Sequence, residues 1–235
     1  MDAMTSEPLP EGDRPSAMPT TPDTVGVLEY QLVLSDPTGI EAEAIRALRT
    51  RIMAQHLREG RRALAICAAS TGVGCSFTAV NLATALAQIG IKTALVDANL
   101  RDSSIGAAFG IASDKLGLAD YLGKGDVDLA SILHPTSLDQ LFIIPAGHVE
   151  HSPQELLSSE QFHDLATQLQ REFDITIFDT TAANTCADAQ RVAQVAGYAL
   201  IVGRKDASYM RDVTTLSRTL RADRTNVIGC VLNGY

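Results

Sequence analysis

The chain has 235 residues, 46% hydrophobic and 20% charged, a size and balance that suit one sizeable globular domain. Its 28 acidic and 19 basic side chains give a net charge of −9, which argues against a non-specific nucleic-acid binder that draws its affinity from phosphate neutralisation. No apolar run reaches the roughly 20 residues of a membrane span, the acidic Pro-rich start is no signal peptide, and the expectation is a cytosolic chain.

Residues 1–26 are rich in Pro, Ser, Thr and acidic side chains, so they are expected to form a disordered tail ahead of one domain over 27–235. Ile45, Leu48, Ile52 and Leu57 mark a helix over 39–59. The wholly apolar run 63–68 then reads as a strand covered on both faces. A Gly-containing turn leads into a helix over 76–89 that stops at Gly90. Further strands are expected at 93–96, closed by Asp97, and at 141–144 before Pro145. Between them, roughly 100–120 reads as an ordered, helix-free loop region. A helix over 160–173 precedes strands at 175–178, closed by Asp179, at 198–202 before Gly203, and at 227–232 before Asn233. Such alternation implies an α/β fold, a single domain with a mostly parallel, doubly wound sheet and helices on both faces. Ligands of such sheets sit beyond the carboxyl ends of the strands.

The turn between the first strand and its helix is Ala69-Ser70-Thr71-Gly72-Val73-Gly74-Cys75-Ser76-Phe77. Small residues there let the backbone wrap an anion, and the helix N-terminus aims free N–H groups at it. Gly74 and Ser76 fit the phosphate-loop pattern G-x-x-x-x-G-K-[ST], but Cys75 stands at the lysine and Ala69 at the first glycine. A purely structural strand-to-helix turn fits this motif about equally well. Asp97 and Asp179 each close a buried strand, where a carboxylate needs water, a partner or a metal. Together with Ser76 they are the candidates for Mg²⁺, and for catalysis insofar as any remains; the alternative is capping of the following turn.

In this order the motifs resemble the cytosolic domain of the bacterial tyrosine kinases of capsule and exopolysaccharide synthesis, relatives of the MinD/ParA ATPases. The segments that carry the resemblance are EAIRALRTRI (43–52), STGVGCS (70–76), VDANLR (96–101), GLADYL (117–122), LFIIPAG (141–147), PQELLSS (153–159), FDITIFDT (173–180), CADAQRVA (186–193) and NVIGCVLN (226–233). The resemblance implies a P-loop domain that takes ATP or ADP with Mg²⁺ through Gly72, Val73, Gly74, Cys75, Ser76 and Phe77. Asn233 stands where related ATPases read the adenine base, or else is a turn former before Gly234. It further implies that Glu43, Arg46 and Arg49 join subunits into a homo-oligomer, where the bland alternative is a solvated ion pair. A membrane polysaccharide co-polymerase of the chain-length-determinant type is the implied partner, holding the chain at the inner face of the membrane.

The departures concern chemistry. Cys75 removes the lysine, Asn99 replaces the second acidic residue of the D-x-D motif, and only Tyr235 stands in place of a C-terminal tyrosine cluster. A unit charge about 4 Å from a phosphate oxygen is worth about 4 kcal/mol at an effective dielectric of about 20, before desolvation. Without it, nucleotide is expected to bind weakly or not at all. The leading expectation is a regulator of polysaccharide polymerisation or export, a pseudokinase with weak or no ATP turnover. An active ATP-dependent tyrosine autokinase is the first alternative, and a MinD/ParA-like positioning ATPase the second, disfavoured because Ser70 takes the place of the signature lysine. His148 and His151, three apart, read as solvent-facing rather than as metal ligands.

Overall fold

Alternation of side chains along each strand decides how the two faces of the sheet are filled. In β1 (Ala63–Ala68), Ala63, Ala65 and Cys67 join one core, while Leu64, Ile66 and Ala68 join the other. The computed structural model describes residues 31–234, so the expected tail at 1–26 and Tyr235 lie outside the described residues. In chain order, the elements around β1 are α1 (Leu32–Ser35), α2 (Ile40–Gln55), α3 (Cys75–Ala87), β2 (Thr93–Asp97), α4 (Ile105–Ala108), α5 (Leu118–Gly123) and α6 (Leu129–Ile132). There follow β3 (His134–Pro135), β4 (Leu141–Ile144), α7 (Pro153–Leu156), α8 (Glu160–Glu172), β5 (Ile175–Asp179), α9 (Asp188–Ala196), β6 (Tyr198–Arg204), α10 (Met210–Ala222) and β7 (Asn226–Asn233).

The seven strands run β3-β4-β2-β5-β1-β6-β7, and every pair is parallel except β3 with β4. On one face α2 and α3 pack through Ile52, Leu82 and Leu86; on the other, α5, α8, α9 and α10 pack through Leu118, Phe162, Leu165, Val192 and Leu216. The expected α/β class and mostly parallel sheet are therefore present. The first helix ends earlier than its pattern suggests, at Gln55, with a separate 3₁₀ turn over Leu57–Glu59. The 100–120 region is not helix-free: α4 and the start of α5 lie in it, both too short to show a clear period.

Because β1 lies between β5 and β6, strands laid down after it wind outward on both sides. The carboxyl ends of β1, β2 and β5 are thereby neighbours, with Ile66 opposite Asp179 and Asp97 opposite Asp179 in register. That end of the sheet carries the Gly-rich turn.

Candidate nucleotide site

The turn after β1 meets α3 through two glycines in the left-handed region, Gly72 at φ 71° and Gly74 at φ 90°. Gly74 is constrained twice, since a β-carbon there would also overlap the Asn233 side-chain nitrogen. Val73 between them is buried in the core under α3 and anchors the loop. The loop thus presents its backbone at the N-terminus of a 13-residue helix, as an anion cradle requires.

Beside it, two carboxylates are wholly buried on adjacent strands. Asp97 is fully used: Oδ1 accepts the Asn99 amide at 3.2 Å, and Oδ2 accepts those of Ser104 and Ile105 at 3.2 and 3.1 Å. Asp179 has no hydrogen-bond partner on either oxygen. The Ser76 and Cys75 side chains and the Thr180 amide lie close enough to favour its charge without reaching hydrogen-bond geometry. Burial dominates and pushes the Asp179 carboxyl up to about 6. Burial, then the neighbouring Asp179, push Asp97 up to about 8 against the pull of its three amides. An unpartnered buried carboxylate beside a serine hydroxyl fits a hard cation with oxygen ligands. Asp179 and Ser76 would hold Mg²⁺, while both Asp97 oxygens already serve the loop after β2. Among the described residues no group of three or more His, Cys, Asp or Glu could hold a metal, so such a cation would rely on phosphate oxygens.

Cys75 opens α3, but its thiol turns inward and donates to the Ile66 carbonyl of β1 at 3.1 Å. Burial, and then the nearby Asp179 and Cys67, raise this thiol well above the ordinary range, so it stays neutral. The side chain at the position that holds a cation in the phosphate-loop pattern therefore offers neither charge nor donor to the cradle.

Other residues singled out by sequence find different surroundings. Asn233 Nδ2 donates to the Val73 carbonyl at 3.1 Å, so its side chain braces the loop. Phe77, half-buried, lines a cavity of about 370 Å³ with Ile40, Leu48, Val231 and Asn233. On α2, Arg46 pairs with Glu43 at 2.9 Å and also reaches the Pro37 carbonyl, whereas Arg49 turns onto α3 and donates to Ala85 O at 3.2 Å. His148 is exposed, as expected, but its amide and ring both engage the buried Asp120, which also accepts Lys124 Nζ and the Gly117 amide at 3.0 Å. Burial alone would raise Asp120, but these donors outweigh it and hold the carboxyl below its usual range. The Arg101–Asp188 pair at 2.7 Å and the contact of Arg204 with Gly72 O at 3.1 Å carry no sequence signal, because each joins residues far apart in the chain.

Comparison with known proteins finds relatives that share the fold. The ParA family profile, described as NUBPL iron-transfer P-loop NTPase, matches residues 60–233. The tyrosine-protein kinase wzc of Salmonella typhimurium is 30% identical over 213 residues, covering 88% of this chain and 29% of its own. The tyrosine-protein kinase CpsD of Streptococcus agalactiae is 31% identical over 194 residues, covering 81% and 82%. The kinase domain of the Escherichia coli tyrosine kinase ETK superposes with a TM-score of 0.81 at 28% identity, over 86% of this chain and 79% of that one. The chain thus spans under a third of the wzc-type relatives and most of the CpsD-type ones.

Proposed function

Because the chain belongs to the CpsD/Wzc family of bacterial tyrosine kinases, on the P-loop fold shared with ParA and MinD, we propose that it is a member with weak or no ATP turnover. It regulates polysaccharide polymerisation or export. One observation carries this reading: the Cys75 thiol stands at the lysine position and faces β1 instead of the cradle. The loop, Ser76 and Asp179 keep the means to bind ATP or ADP weakly. Mg²⁺ bound with the nucleotide would supply charge neutralisation at the phosphates. Phosphoryl transfer loses a stabiliser of a kind that typically contributes about 10²–10³ in rate.

Its setting follows from the same reading. No helix among the described residues is long and apolar enough to cross a membrane. Attachment to the inner membrane face would come from a membrane co-polymerase, and self-association would run through the α2 face around Glu43 and Arg46. Arg49, held on Ala85 O, would take part only after letting go of α3. An active autokinase is the second reading, favoured by the unpartnered Asp179. Incubation of the purified protein with ATP and Mg²⁺ separates the two. The expected result is no appreciable phosphotyrosine, and robust phosphotyrosine would return the chain to the active kinases.

A further inference from the structure

Charge is not spread evenly over this acidic chain. Residues 186–234 carry seven Arg and Lys side chains against four Asp, in a protein whose net charge is −9. α10 gathers three of those cations on one face. Leu216 and Leu220 turn toward the sheet, with Val213 packed beside them. At about 3.6 residues per turn, Met210, Arg211, Arg218 and Arg221 then share about 100° of the opposite arc. All four are exposed, and the remaining exposed side chains of the helix are threonine and alanine.

The nearby acids lie outside that arc. Asp212 sits on its flank, where it pairs with Arg211 at 3.3 Å and lines a cavity with Ser70 and Gln190. Asp223 follows the last turn and is half-buried, and Asp206 lies in the loop before α10, beside Arg204 and Lys205. α9, packed against α10, adds the exposed Arg191, while its Asp188 is buried on Arg101. A solvated helix ordinarily mixes signs, as α8 does on the same side of the sheet with Glu160, Asp164 and Glu172 against Arg171. The α10 face does not.

This face offers charge without a pocket. The Thr214 and Thr215 hydroxyls bond back to Met210 O and Arg211 O at 2.7 and 2.8 Å, so they are not free to read a discrete ligand. At its N-terminal end, Tyr209 and Met210 are 73% and 75% exposed. The phosphates of a nucleic acid would leave both idle. An anionic bilayer takes such side chains into its interface while arginines meet the headgroups. α2 packs on the other side of the sheet, so a contact through α10 leaves the α2 face free for a second copy.

We propose that the exposed face of α10 rests on an anionic lipid surface, with Arg211, Arg218 and Arg221 at the headgroups and Tyr209 and Met210 at the interface. Each arginine is worth about fivefold in partitioning, so the contact is weak and reversible. It needs neither nucleotide nor a co-polymerase, and it stands or falls separately from the regulatory reading above.

The test is sedimentation of the full chain with vesicles of phosphatidylcholine, alone or with about one third phosphatidylserine, at low ionic strength. Wild type should bind the mixed vesicles, leave pure phosphatidylcholine unbound, and come off at about 0.5 M salt. Arg218→Gln/Arg221→Gln should weaken binding about twentyfold, and Arg218→Lys/Arg221→Lys should stay within about threefold of wild type. Arg51→Gln/Arg58→Gln, on the α2 side, should change it less than about twofold. All of these arginines are exposed, so melting temperatures should hardly move. Failure of wild type to bind the mixed vesicles, or equal binding to both kinds, overturns the proposal. Equal weakening by the two glutamine pairs overturns the assignment to α10. Binding of duplex DNA without binding of vesicles, lost in Arg218→Gln/Arg221→Gln, would give the face to nucleic acid and overturn the lipid surface.

Discussion

Asp97 and Asp179 face each other in register at the ends of β2 and β5, and each is wholly buried, yet their surroundings differ completely. Asp97 accepts three backbone amides and organises the loop from Asn99 to Ile105. Asp179 accepts none. A carboxylate that satisfies its own loop belongs to the fold; one left bare in the interior is unfavourable until something else arrives. Burial alone therefore does not separate a structural acid from a binding one. The count of donors does.

The largest expected effect is a pH dependence. An unfolded Asp loses its proton near pH 3.8, whereas Asp179 keeps it to about 6 and Asp97 to about 8. At this pair the folded state then binds more protons than the unfolded one, so the pair's contribution to stability is full below about pH 4 and is lost as pH rises through 6 toward 8. Asp179→Asn should remove the part between 4 and 6, raising stability at pH 7.5 by about 3 kcal/mol and leaving pH 4 nearly unchanged. Urea unfolding at the two pH values checks this, and a gain equal at both would break the contrast.

A smaller effect separates the two acids where charge costs neither of them. At pH 4, Asp97→Ala should lose about 2 kcal/mol, because three amides lose their acceptor. Asp179→Ala, which removes no hydrogen bond, should lose under about 1 kcal/mol. Equal losses would mean that the donors around Asp97 contribute little.

Much of this arrangement can be read from the residues. Largely apolar runs such as 63–68, 93–96 and 175–178 announce strands covered on both faces, and the aspartates that close the last two announce the end where a ligand would sit. Which aspartate is satisfied cannot be read. Two of its three donors come from Ser104 and Ile105, in a segment where α4 has only four residues and no period to recognise. Likewise β3, two residues long and containing Pro135, has no pattern of its own and exists only through its pairing with β4. The direction of the Cys75 thiol depends on the Ile66 carbonyl on the preceding strand, and the Arg204 contact spans 132 positions. Local propensity carries the elements; long-range contacts decide what the site can do.

At the scale of the loop itself, Gly74→Ala should cost about 1 kcal/mol or more, through its positive φ and the overlap with Asn233, while weakening nucleotide binding further. Smaller still is Glu43→Gln on α2, whose exposed pair with Arg46 should change monomer stability by no more than about 0.5 kcal/mol. A larger loss at high protein concentration than at low would place that pair in a contact between copies.

Calorimetric titration of ATP with Mg²⁺ into wild type and Cys75→Lys tests the central claim most directly. With the thiol turned onto Ile66 O and no charge in the cradle, wild type should bind weakly, and the lysine variant at least about tenfold more tightly. Wild-type binding as tight as that of the lysine variant would contradict the claim that Cys75 leaves this nucleotide site impaired.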